Sequence, residues 1–256
     1  MSAERLTARR SATLSAWVLG AALVAWLVTV QRMRGMDAGP GTDLGALGWY
    51  LGVWVTMMAA MMLPSARPTV LLFAQVRGGR SSWLFVAGYL LAWTTYGLLA
   101  YAAYRGLRAV APSFVGWDDL GPWVAGGALV AAGVYQLTPL KSACLRHCRS
   151  PIGLLVRSPR SWHGALRTGA EHGSVCVGCC LGLMLALFAL GVMSVVWMAV
   201  VGLVVLAEKT LPSGESFARV LAVALVGLGV WVAVAPGSVP GLTQPPANGM
   251  EMEMGR

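Results

Sequence analysis

The sequence predicts an all-α, polytopic transmembrane bundle of about seven helices, on three observations. Hydrophobic residues fill 57% of the 256 positions and charged ones only 11%, a balance foreign to soluble domains. The apolar residues gather in runs that approach or exceed the roughly 20 residues a helix needs to cross about 30 Å of hydrocarbon. No stretch alternates with period two, so a closed barrel, the other structure that satisfies its backbone inside lipid, finds no support.

Charged or Pro/Gly-rich breaks delimit helices at about 12–30, 46–63, 82–104, 121–137, 175–190, 193–208 and 217–235. The first follows Arg5, Arg9 and Arg10 and has the flavour of a signal peptide. Its apolar run of about 18 residues is too long for a signal core, and no A-x-A-like site precedes Arg32, so it is a retained helix. The second ends in TMMAAMMLPSARP, where Met57, Met58, Met61 and Met62 form two adjacent thioether stripes and Pro64 and Pro68 bracket Arg67. Methionine is an ordinary gap-filler of apolar cores, and position alone, in the same half of the bilayer as the cysteines, makes these four candidate soft ligands.

The third helix carries Trp83, Tyr89, Trp93, Tyr96, Tyr101 and Tyr104, which read as packing and interfacial belts rather than a ligand cage. Trp117, Asp118 and Asp119 follow in a solvated turn, and Gly126, Gly127 and Gly133 suit the fourth helix to close contact with a neighbour. From Val175 to Ala207 there is neither charge nor proline. One straight helix over that span would be about 50 Å long, so a hairpin near Gly191 divides it. Glu208 and Lys209 close the sixth helix as an interfacial pair. Beyond Pro236 the composition is that of a disordered tail, with Met250, Met252 and Met254 alternating with glutamate.

The net charge of +9 is spread unevenly. With a cytoplasmic N-terminus and seven crossings, inside segments carry Arg5, Arg9, Arg10, Arg67, Arg77, Arg80, Lys141, Arg146, Arg149, Arg157, Arg160, Arg167, Lys209 and Arg219, which is 14 of the 19 basic residues. Such a bias is expected of a multi-pass plasma-membrane protein with its N-terminus in and C-terminus out. It accounts for the basic charge without nucleic acid as a partner, and leaves the lipid bilayer as the first one. The chain divides into a cytoplasmic N-terminal segment (1–11), a polytopic membrane domain (12–235) with a cytoplasmic Cys/His loop at 138–174, and an extracytoplasmic tail (236–256).

All five cysteines and all three histidines lie between Thr138 and Met184. Cys144, His147 and Cys148 stand at i, i+3, i+4, and Cys176, Cys179 and Cys180 repeat the spacing, which on a helix puts each set on one face. Thr138 as cap, Pro139 at the first helical position and Pro151 as a stop predict a short helix over Leu140–Arg149, with the first triad as one cluster. The second triad opens an apolar run, at the mouth of a membrane helix. Thiols in a reducing cytosol do not pair as disulfides. Thiolate and imidazole are ligands for zinc and copper, and nearby thioether tilts the preference to Cu(I), with zinc the other candidate. Lys141, Arg146 and Arg149 flank the first triad and favour thiolate there. His163 and His172 are less directed, and Met184 and Met193 prolong a ladder of soft atoms into the membrane. No nucleophile–base set, Walker-type loop or aspartyl-phosphate motif is present, so the chain reads as no enzyme.

The segments MMAAMMLPSARPTVLLF, YQLTPLKSACLRHCRSPIG and HGSVCVGCCLGLMLALF together resemble a bacterial family described as predicted metal-binding integral membrane proteins, a former domain of unknown function linked to copper-chaperone-like proteins. The likeness spans about Trp49 to Pro212. It implies metal binding by Met57, Met58, Met61, Met62, Cys144, His147, Cys148, Cys176, Cys179 and Cys180, an inner-membrane location, and copper delivery to a copper-requiring enzyme or membrane complex. Leu181 and Ser194 stand where that family carries an aromatic residue and an asparagine. Two rival functions are a secondary transporter or channel, with Arg67 and Glu208 along a pathway, and an assembly subunit of a membrane complex.

Overall fold

A computed structural model describes residues 3–34, 44–110, 121–191 and 194–239, with the side chains of residues 3–8, 80 and 155 left aside. The expected acidic turn at Trp117–Asp119, Met193 and the methionines of the tail lie outside these residues. The described chain is all helical. Its helices are α1 (Ala3–Met33), α2 (Leu47–Arg77), α3 (Gly79–Val110), α4 (Gly121–Gln136), α5 (Pro139–Arg149), α6 (Ile152–Arg157), α7 (Trp162–Leu190), α8 (Val195–Thr210) and α9 (Gly214–Val234), followed by a 3₁₀ turn at Pro236–Ser238.

Five of these, α1, α2, α3, α7 and α9, are long and apolar enough to cross a membrane. The pair α4–α5 makes a sixth only if counted through a bend of 64°. Helices α4 and α8 have 16 residues each, about 24 Å at 1.5 Å per residue, less than the hydrocarbon thickness. These short helices matter for the site, because both end against the middle of longer ones.

Four helices outrun their expected bounds by more than a turn: α1 begins at Ala3 rather than 12, α3 runs to Val110 rather than 104, and the extensions of α2 and α7 shape the site. Helix α2 continues 14 residues past Leu63, through Pro64 and Pro68 to Arg77. Each proline deletes a backbone N–H and crowds the turn before it. Ala66, Thr69, Val70 and Phe73 form a buried stripe that holds the extension in place. Helix α7 begins at Trp162 rather than Val175, so the connection expected at 138–174 is itself built from helices. Ser161 caps it by accepting from Gly164 N at 3.0 Å. The added turns present Gly164, Ala165, Thr168, Gly169, His172 and Gly173 as one buried stripe.

That stripe lies on α3 with almost no side chain between the backbones. A Cβ at Gly169 would collide with Phe85 O, and one at Gly88 with Leu166 O. Helices α4 and α9 meet in the same manner, where a Cβ at Gly126 would stand 2.5 Å from Gly229 O and one at Gly133 2.8 Å from Ala222 O. Small residues permit such close backbone approach. Gly127, expected to join them, faces open space.

The hairpin expected near Gly191 is present. Gly191 takes φ +106°, a conformation an L side chain rarely adopts, and ends α7. Ser194 then starts α8 by accepting from Trp197 N at 3.5 Å.

Candidate metal centre

The short helix of the first triad forms as its caps predict. Thr138 Oγ1 accepts from Lys141 N at 3.3 Å and Pro139 occupies the first turn. Its buried positions are Lys141, Leu145 and Cys148, the i, i+4, i+7 stripe of an amphipathic helix laid on a bundle. Only Cys148 of the first triad therefore points inward. His147 sits about 100° around the helix, is exposed, and its Nδ1 lies 2.9 Å from Ala143 O. Cys144 is half-buried against Gly178, whose hypothetical Cβ would be 2.9 Å from the Cys144 sulfur. The expected single cluster of Cys144, His147 and Cys148 does not assemble, because helix α5 has room for one inward stripe.

The second triad behaves differently. Cys176, Cys179 and Cys180 lie in the middle of α7 and are all at most 1% exposed. The sulfurs of Cys148, Cys176 and Cys179 lie within 4.8 Å of one another, so that small side-chain movements bring all three onto one ion at metal–thiolate bonds of about 2.3 Å. Cys180 Sγ is 3.5 Å from Cys179 Sγ and can enter the shell by a rotamer change. Cys179 at present donates to Cys176 O at 3.2 Å. None of the five cysteines forms a disulfide.

The group that completes the centre comes from the end of α8. Lys209 Nζ is 2.8 Å from Cys176 Sγ and donates to Ser65 Oγ at 3.3 Å. Tyr89 Oη, from α3, lies 3.0 Å from the same sulfur. The expected Glu208–Lys209 pair is replaced by two separate contacts, since adjacent helix residues point about 100° apart. Glu208 turns instead to Lys141 on α5, 2.6 Å away, with both side chains at most 2% exposed. Lys141 is thus spent on a carboxylate, Arg146 pairs with exposed Glu215 at 3.2 Å, and Arg149 donates to Leu211 O at 2.5 Å. The cation at the sulfurs is Lys209, and not the three basic residues flanking the first triad.

Lys209 stands where a metal–thiolate complex would gather charge. A monovalent ion on two thiolates and one neutral thiol carries one net negative charge, and a divalent ion on three thiolates carries the same. Either is balanced by one ammonium, which matters in a medium that penalises isolated charge. The aromatic residues of α3, expected to serve only packing, therefore include a hydrogen-bonding partner of the centre in Tyr89.

Met57, Met58, Met61 and Met62 are all at most 2% exposed and belong to the same buried core as the cysteines, together with Met184 and Met198. Ser65, one turn beyond Met61 and Met62, is the residue of α2 that reaches Lys209. Met61 faces α8, where a Cβ at Gly202 would lie 3.5 Å from its Cγ. His172 is buried, with its ring 5.7 Å from Phe85 and 5.9 Å from Tyr89. His163 stacks on Trp162 away from the sulfurs, at 3.4 Å between centroids. Sequence spacing carried no sign of Lys209 or Tyr89 as site residues, because both reach the cluster from other helices.

No curated protein and no solved structure matches the chain. A family model does match, over residues 51–232, which encloses the methionine stripes, both cysteine triads and Lys209; that family is PpoB2, described as a copper chaperone, and the chain belongs to it.

Proposed function

We propose that the protein is a multi-pass inner-membrane protein that binds Cu(I) at Cys148, Cys176 and Cys179 and passes it on to a copper-requiring enzyme, without catalysing a reaction of its own. Three buried sulfurs from two helices, mutually within 4.8 Å, carry this proposal. Sulfur-only donor sets favour Cu(I) over hard cations, and two or three ligands satisfy it where zinc wants four. Membership of a copper-chaperone family points the same way. Cys180 is a spare ligand for exchange, the methionines a softer reserve behind the cluster, and Cys144 and His147 stand outside it.

In the bilayer the chain crosses seven times, with α4 and α8 as short crossings that finish near Gln136 and Lys209, N-terminus inside and C-terminus outside. The basic residues of α5, α6 and the first turns of α7 support this orientation and, with it, a cluster near the cytoplasmic rim. The cargo is bound by ligand exchange, so a small number of labile sulfur ligands suits release better than a closed tetrahedral cage.

Protein purified anaerobically in mild detergent and exposed to Cu(I) is expected to retain about one copper per chain by elemental analysis. The Cys176→Ser/Cys179→Ser variant should retain none, and Cys148→Ser should lose its copper to a competing chelator that leaves the wild type loaded. Equal copper in the three samples contradicts the assignment.

A further inference from the structure

The three sulfurs of the cluster are at most 7% exposed, so a metal needs a way in. A cleft of about 720 Å³ opens between α5–α6 and the first half of α7. Its lining includes His147, the neighbour of Cys148, and His172 and Val175, which lead along α7 to Cys176. No cysteine of the cluster lines the cleft itself; on α7 it ends at His172 and Val175, within one turn of Cys176. His172 stands at its inner end. One flank of the ring packs on Phe85 and Tyr89, and among the described residues its nitrogens make no hydrogen bond. Tyr89, which the ring touches, is itself 3.0 Å from Cys176 Sγ.

The charges of the cleft restrict what can use it. Arg157 and Arg167 line it beside one carboxylate, Glu171, which is taken by Arg167 at 2.8 Å. Arg157 is left as net positive charge, a poor surface for a bare cation and a good one for an anion. Cu(I) held by two thiolates is an anion. The volume is that of a small-molecule site, too small for a protein domain.

We infer that this cleft is the loading port of the cluster, that it accepts Cu(I) as an anionic complex of a small thiol, and that His172 is the relay ligand between port and Cys176. The inference rests on the proposed copper site and adds its donor and route. Transfer is a ligand exchange with no change of oxidation state. The two copper–sulfur bonds to the carrier break in turn, a transient bond to His172 nitrogen forms and then breaks as two cysteine sulfurs bind, and the proton of each accepting thiol leaves on a carrier thiolate.

Loading of the full-length protein in detergent, followed by stopped flow with Cu(I)–glutathione as donor and elemental analysis at the end point, tests this. His172→Phe keeps the ring packing and removes the ligand. Gly153→Trp plugs the cleft from a position where a Cβ meets nothing within 4 Å. Both variants are expected to load on the order of tenfold more slowly while reaching wild-type copper content. Arg157→Gln should slow loading from Cu(I)–glutathione but not from the cationic acetonitrile complex of Cu(I). Wild-type rates in either His172→Phe or Gly153→Trp overturn the port and relay, and an equal response of Arg157→Gln to both donors overturns the anionic donor. Wild-type protein that takes up no copper at the end point instead defeats the binding site itself.

Discussion

The two cysteine triads share one spacing and meet opposite fates. On α7, a helix buried by α3 on one side and by α4 and α5 on the other, all three thiols are enclosed. On α5, an 11-residue helix bent 64° from α4, one thiol is enclosed, one rests on the flank and the histidine faces a cleft. Residues at i, i+3 and i+4 span about 100° of a helix, and the surroundings decide how wide an inward stripe is. A helix packed on several sides hides a broad arc, and a helix lying on a surface hides a narrow one.

The two regions also differ in what holds them. Close backbone packing through Gly88, Gly169 and Gly173 fixes α7, whereas α5 depends on its Thr138 cap and the Lys141–Glu208 pair. The largest effect is accordingly expected from Lys141→Ala, which strands Glu208 in a buried setting. Breaking such a pair costs about 3–5 kcal/mol, measurable as lost unfolding stability in detergent. The Lys141→Met/Glu208→Leu double variant should recover most of it. A loss no greater than that of an exposed basic residue such as Arg146 would show that the ion pair does not anchor α5.

Next comes the ligand that α5 delivers. Cys148→Ser is expected to weaken Cu(I) affinity by on the order of 10–100-fold in a chelator competition. Lys209→Met should follow at about tenfold, near 1.4 kcal/mol, through loss of a charge-assisted contact to Cys176. Unchanged affinity in Lys209→Met would remove charge compensation from the account. The smallest effects belong to Cys144→Ser and His147→Ala, each within about a factor of two at equilibrium. A large loss from either would return the whole first triad to the site.

Much of this was readable in the residues. Among the described residues each of the seven apolar runs falls on a helix to within a residue or two, the cap and proline of α5 stand where Thr138 and Pro139 put them, and Gly191 ends α7 at the expected break. What escaped has a common cause. Pro64 reads locally as a stop, but the buried stripe beyond it on α2 outweighs the lost hydrogen bond. The segment from Trp162 to Ser174 is too polar to read as a span, yet its small residues find a partner in α3. Lys209 looks like an interfacial charge until α8 proves too short to carry it past the level of Cys176. In each case contacts with a distant helix override local preference.

The central claim is that Cys148 on α5 joins Cys176 and Cys179 on α7 in one sulfur nest. X-ray absorption at the copper edge, on Cu(I)-loaded full-length protein, tests it most directly. A first shell of sulfur alone is expected, losing one scatterer in Cys148→Ser and none in Cys144→Ser. An unchanged shell in Cys148→Ser, or a nitrogen scatterer that disappears with His147→Ala, would contradict it.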